Sequence, residues 1–146
     1  MTRRFTFTAV LLSLPALVGG CGNPPPEFAP VEGVVRVKGR PQPGLQVHFL
    51  PDPQRGNDLP INASGKTDEQ GKYQLHYVYE EEEGLGAPVG WHRVLIEDTA
   101  LSQVPQGQPL PPQLIPTAYS NPAKTPLIVE VKSGAQTIDL DITEPR

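Results

Sequence analysis

A single cysteine among 146 residues leaves Cys21 without a second thiol, so an internal disulfide and a thiolate metal knuckle are both excluded. Aromatic residues are scarce, at 6% of the chain, with one tryptophan, Trp91. No Gly-rich phosphate loop, His-Glu-x-x-His, Cys-x-x-Cys or Gly-x-Ser-x-Gly elbow occurs. The residue patterns of phosphoryl transfer, metal-assisted hydrolysis, thiol redox chemistry and Ser-based acyl transfer are therefore missing. A basic patch is missing too: 12 Lys and Arg stand against 16 Asp and Glu, a net charge of −4, which disfavours nucleic acid as a partner. Finally, no stretch shows the 3.6-residue apolar period of an amphipathic helix.

What the chain has in excess is proline (19) and glycine (14), nearly a quarter of all residues. That balance disfavours helices and favours short strands joined by turns. The length allows one domain plus appendages, and the 37% hydrophobic residues gather into strand-sized runs. The strongest local signal lies in residues 64–78, where two extended runs meet across Asp68-Glu69-Gln70-Gly71. Asp68 can accept from the backbone two residues on and Gly71 tolerates positive φ, so a β-hairpin is expected here. Tyr73, Leu75 and Tyr77 then form its apolar face.

The remaining strands follow the same period of two. Val31, Gly33, Val35 and Val37 alternate with Glu32, Val34, Arg36 and Lys38; Leu45, Val47 and Phe49 alternate with Gln46 and His48. Residues 52–61 read as a polar loop, and Glu80 to Glu83 as a solvated loop, because adjacent carboxylates repel one another and lack the spacing that wraps calcium. In the next strand Val94 and Ile96 share parity with His92, which should therefore face the core as a structural residue. Residues 100–125 carry six prolines without an apolar period, a functional or wrapping segment in which Leu114, Ile115, Pro116 and Tyr119 pack across the sheet. Leu127, Val129 and Val131, then Ser133-Gly134, then Ile138, Leu140 and Ile142 resemble a terminal hairpin. About seven short strands imply an all-β fold, an antiparallel β-sandwich of immunoglobulin-like build.

The amino terminus carries the most specific functional signal. Arg3 and Arg4 precede the uncharged apolar residues 5–18, and Val18, Gly19, Gly20 and Cys21 close the stretch. With Pro15 inside it, the segment is short for a membrane span. The four residues resemble the bacterial lipoprotein lipobox, with Gly19 where Ala, Ser or Thr is more usual. That resemblance implies lipidation of Cys21, cleavage before it and acylation of its new amine. By the enterobacterial sorting rule, Gly22 in place of Asp implies the outer membrane. Residues 1–20 are thus read as a lipoprotein signal peptide, 21–30 as a lipidated Pro-rich tether, and 31–146 as the folded domain. Loss of the leader removes Arg3 and Arg4 and no acid, leaving ten basic against sixteen acidic residues and a net charge of −6.

Three pieces, Val31-Glu32-Gly33-Val34-Val35 with Gly39-Arg40-Pro41, Gly44-Leu45-Gln46-Val47-His48-Phe49, and Thr67-Asp68-Glu69-Gln70-Gly71-Lys72-Tyr73, resemble the carboxypeptidase regulatory-like domain. Gly86-Ala87-Pro88-Val89-Gly90 and Ile115-Pro116-Thr117-Ala118-Tyr119-Ser120 are similar to the version found in many short planctomycete lipoproteins. The resemblance implies a transthyretin-like sandwich acting as a non-catalytic accessory or binding module, without cofactor. Two functions follow as expectations. One is a membrane-anchored structural or protein-interaction module of the cell envelope. The other is a small-ligand or glycan-binding surface lipoprotein using Trp91, the outward tyrosines and the acidic loop, with His48 and His76 as further candidates. His48 and His76 have outward parity, and on neighbouring strands they could face each other. Two imidazoles without a carboxylate or thiolate still make a poor metal site, so none is expected.

Overall fold

The period-two stretches become strands whose apolar sides face one another across a core. The computed structural model describes residues 24–143; the expected leader and lipidation motif lie outside them. In chain order the strands are β1 (Phe28–Ala29), β2 (Val31–Val37), β3 (Arg40–Pro41), β4 (Leu45–Pro51), β5 (Ala63–Lys66), β6 (Lys72–Gln74), β7 (His76–Tyr79), β8 (Glu82–Leu85), β9 (Ala87–Pro88), β10 (Gly90–Asp98), β11 (Ile128–Val131), β12 (Gln136–Thr137) and β13 (Leu140–Ile142). One short helix, α1 (Thr99–Ser102), follows β10. An antiparallel sheet runs β11-β10-β4-β5-β7-β8. The second layer is built on β2, with β6 and β3 antiparallel on one side and β12 and β13 parallel on the other. β1 pairs separately with β9.

The core between the layers takes Leu45, Val47, Phe49, Val94 and Ile96 from the first sheet and Val31, Val35, Tyr73, Leu140 and Ile142 from the second. These are the residues whose alternation marked them as inward-facing, and burying each large one contributes about 1.5–3 kcal/mol. His92 is fully buried, as its parity required. Ile115 and Tyr119 pack into the core as expected, while Leu114 stays on the surface.

Four local expectations are corrected. The turn at 68–71 forms as read: Asp68 Oδ1 accepts from the Gln70 and Lys72 amides, each at 2.9 Å, and Gly71 has φ 73°. It is a corner rather than a hairpin, because β5 stays between β4 and β7 while β6 crosses to β2. The terminal pair is not a hairpin either: β11 lies on β10 and β13 lies parallel to β2. Both strands satisfy open edges in different layers, and the Gln136 side chain spans the intervening turn, donating to Lys132 O at 2.7 Å and accepting from Lys132 N at 3.2 Å. Residues 80–83 are solvent-exposed as expected, but they are not a free loop. Tyr79 pairs with Glu82, which leaves Glu80 (φ 48°) and Glu81 (φ 72°) as a two-residue left-handed turn between β7 and β8. The fourth correction concerns the tether, since Phe28 and Ala29 already belong to the fold: Ala29 is fully buried and Phe28 stacks on Tyr77 at 3.8 Å.

The strand registers define two ends of the sandwich. One carries the start of β1, the 52–57 segment, the β7–β8 turn and the beginning of β10; the other carries the turns at 38–44 and 68–71, α1 and the loop after it. β10, with nine residues, spans the distance between them, about 26 Å at about 3.3 Å per residue.

Glycine is obligatory at one position inside β2. A Cβ at Gly33 would stand 1.9 Å from the Ile138 carbonyl oxygen, the same oxygen that accepts the Tyr73 hydroxyl at 2.6 Å. Gly33→Ala is therefore expected to cost about 3 kcal/mol or more, whereas Glu32→Ala on the exposed side of the strand stays within about 0.5 kcal/mol. Urea-unfolding midpoints of the two variants test this difference.

Candidate functional site

The densest set of charged and aromatic side chains lies where β4 ends and β10 begins. Asp52, directly after β4, caps a single 3-10 turn at Pro53–Arg55, with Pro53 supplying the first helical position and Asp52 Oδ1 accepting from Gln54 N at 3.2 Å. Its carboxylate is 1% exposed. Arg93 Nε approaches Oδ1 at 3.2 Å and Arg55 Nε approaches Oδ2 at 3.6 Å, although Oδ2 has no hydrogen bond. Arg93 also donates from Nη2 to Gln54 Oε1 at 2.7 Å and from Nη1 to Pro122 O at 2.9 Å. The Arg55 guanidinium lies 5.0 Å over the Trp91 ring. Buried Asn57 donates to Trp91 O at 3.0 Å, which also accepts from Asp52 N at 2.9 Å.

Chemically this is an anchor for the 52–57 segment. A carboxylate facing two guanidiniums is held as an ion pair, and both arginines are already committed to protein partners. The Asp52-Pro53 dipeptide after a strand is a readable cap signal; that Arg93, 41 residues later in the sequence, would cover the carboxylate is not readable locally.

His92 sits behind this anchor on the core side. Its Nδ1 lies 2.9 Å from Gly90 O, so Nδ1–H is the donor, and its Nε2 is buried without a partner. The ring packs against Phe49 at 5.8 Å between centroids. Burial holds the imidazole below the ordinary histidine range, with the Gly90 hydrogen bond opposing that shift more weakly. Since the ring has no exposed surface, no substrate reaches either nitrogen.

The other sequence candidates are dispersed. His48 and His76 do lie on the same outer face, but both register with Ser64, so β5 separates them by about 9.6 Å, two strand spacings. His48 Nε2 instead stands 3.8 Å from Glu97 Oε2. Among the described residues no group of three or more His, Cys, Asp or Glu converges as a metal site would require. Trp91 is half-buried with one ring face under Arg55, and Tyr77 has one face under Phe28, which also contacts Tyr79 at 5.8 Å. The Phe28 stack is a feature missed in the sequence, because aromatic pairing across 49 residues leaves no local pattern. Cys21, Val18, Gly19 and Gly20 fall outside the described residues.

Two outcomes are expected. Arg93→Met leaves the Asp52 carboxylate buried against the weaker partner, costing about 2–3 kcal/mol, while Arg55→Met costs about 1 kcal/mol or less because Arg55 is nearly half exposed; chemical denaturation of both variants measures the order. The second concerns acid. His92 is neutral in the fold, so below the unfolded value of about 6.5 the unfolded chain binds a proton that the folded one refuses. Stability should fall as pH drops through that value toward the lowered folded pKa, and His92→Phe should flatten this limb in thermal unfolding between about pH 7.5 and 5.5. Loss at still lower pH persists in the variant, because Val34 N and Arg36 hold the Asp139 carboxyl below its usual range.

No family model, curated protein or solved structure matches this chain, so the likeness to the carboxypeptidase regulatory-like domain stands on its motifs alone.

Proposed function

We propose that this chain is a lipid-anchored, non-catalytic interaction module of the cell envelope. The observation that carries the reading is Val18-Gly19-Gly20-Cys21 closing an uncharged apolar stretch behind Arg3 and Arg4. A lone cysteine at that position has a chemical use as a lipidated thiol and an acylated amine. Acyl chains contribute about 0.8 kcal/mol per buried methylene, and more than one chain makes a lasting anchor. The folded residues support the same reading in two ways. The fold begins at Phe28, only seven residues after Cys21, so the tether holds the sandwich close to the bilayer. The ionic and aromatic groups that a catalyst or sugar platform would need free, Asp52, Arg93, Trp91 and Tyr77, are engaged with one another or with neighbouring side chains.

Partners on this reading are the membrane through the lipid and another envelope protein through the sandwich surface, with the outer membrane as the location. Mass spectrometry of the mature amino terminus should find residue 21 first, carrying a lipid on sulfur and an acyl group on nitrogen. Cys21→Ala should move the protein from the membrane to the soluble fraction with its fold intact by circular dichroism. A free Cys21 thiol, or a native chain still beginning at Met1, would sink the proposal.

A further inference from the structure

The loop after α1 is built to stay out of the fold. Residues 105–114 are exposed without interruption, and Leu110, at 70%, is the most exposed large hydrophobic residue described. Both flanks are nonetheless fixed. On one side Asp98 caps α1 by accepting from Ala100 N at 2.9 Å, and Thr99 Oγ1 donates to Gly44 O at 2.7 Å. On the other, Ile115 and Tyr119 are buried, and the Tyr119 hydroxyl donates to Thr143 O at 2.9 Å.

Within this loop the sequence dictates the conformation of Pro109-Leu110-Pro111-Pro112. Each proline fixes its own φ near −65°, and each residue before a proline is pushed out of the α region, which covers Gln108, Leu110 and Pro111. The consequence is a short polyproline II segment. It makes no hydrogen bond to the rest of the protein among the described residues, so its carbonyls are free acceptors. A pinned, pre-extended segment loses little conformational entropy on binding, which is the basis of polyproline recognition by grooves lined with aromatic rings. The segment also sits at the end of the sandwich opposite Phe28, where a tether at Cys21 would present it away from the bilayer.

We infer that residues 109–114, Pro-Leu-Pro-Pro-Gln-Leu, are the recognition segment of this module, taken by a partner protein whose groove stacks aromatic rings on the prolines, receives Leu110 and donates hydrogen bonds to the free carbonyls. This rests on the envelope-module reading and names its partner's chemistry.

The test places p-benzoylphenylalanine at Leu110, or as a control at Val78, in the full-length chain made in its own cells. Val78 is 62% exposed and stands on the hairpin at the other end. After irradiation, membrane and soluble fractions are probed for adducts of the chain. The expected result is a discrete adduct at position 110, at least about tenfold stronger than at 78, that the peptide Pro-Leu-Pro-Pro-Gln-Leu abolishes and Gly-Leu-Gly-Gly-Gln-Leu does not. In the same background Pro111→Gly with Pro112→Gly should weaken it about tenfold without moving the thermal midpoint. No adduct, equal adducts at both positions, an adduct of two copies of the chain, or equal competition by both peptides overturns the inference. The distribution between fractions reads the tether separately: a specific adduct on a soluble, unacylated chain upholds the segment and sinks the anchor, whereas a membrane-bound chain without the adduct does the reverse.

Discussion

The second layer of this protein is registered on the backbone of β2. Seven residues, Val31 to Val37, receive β6 and β3 along one edge and β12 and β13 along the other, so every strand of that layer finds its partner there. The arrangement depends on the missing side chain at Gly33, which lets the carbonyl of Ile138 come in where a methyl group would otherwise stand. With that carbonyl in place, the Tyr73 hydroxyl is satisfied while its ring packs against Phe49, tying the layers together. A polar contact of the edge thus helps to hold the apolar core in register.

Inward and outward sides were legible residue by residue, because a strand has a period of two wherever it pairs. Val31, Val35, Val47, Phe49, Val94, Ile96, Leu140 and Ile142 all lie where alternation placed them. Pairing partners were not legible. The turn chemistry of Asp68 and Gly71 is local and formed as read, but whether β6 returns along β5 or crosses to β2 is decided by which edge is open, a property of the whole sandwich. The same applies to β11 and β13. Glu80 and Glu81 show the opposite failure: like charges pointed to open loop, yet the pairing of Tyr79 with Glu82 forces both into left-handed backbone at a cost of about 1–2 kcal/mol per residue.

At the candidate site the sequence revealed single residues and not their company. Trp91, His48 and His76 were visible as chemistry-bearing side chains, but the first is roofed by Arg55 and the other two are held apart by β5. Asp52 looked like an ordinary loop residue and is the most completely buried acid described, because its counter-ion comes from β10. Charge pairing between neighbouring strands has no sequence period, which is why composition could place acids on the surface in general and miss this buried one.

The stacking of Phe28 on Tyr77 has a mechanical consequence. Any traction on the amino-terminal residues reaches the sandwich first at this ring pair and at the two-residue ladder of β1 on β9. Those contacts can be peeled one at a time, while β2, the next segment in line, is gripped along both edges and must be sheared free all at once. The molecule therefore has a sacrificial corner: under load it lengthens by a few residues of released strand before its core feels the force.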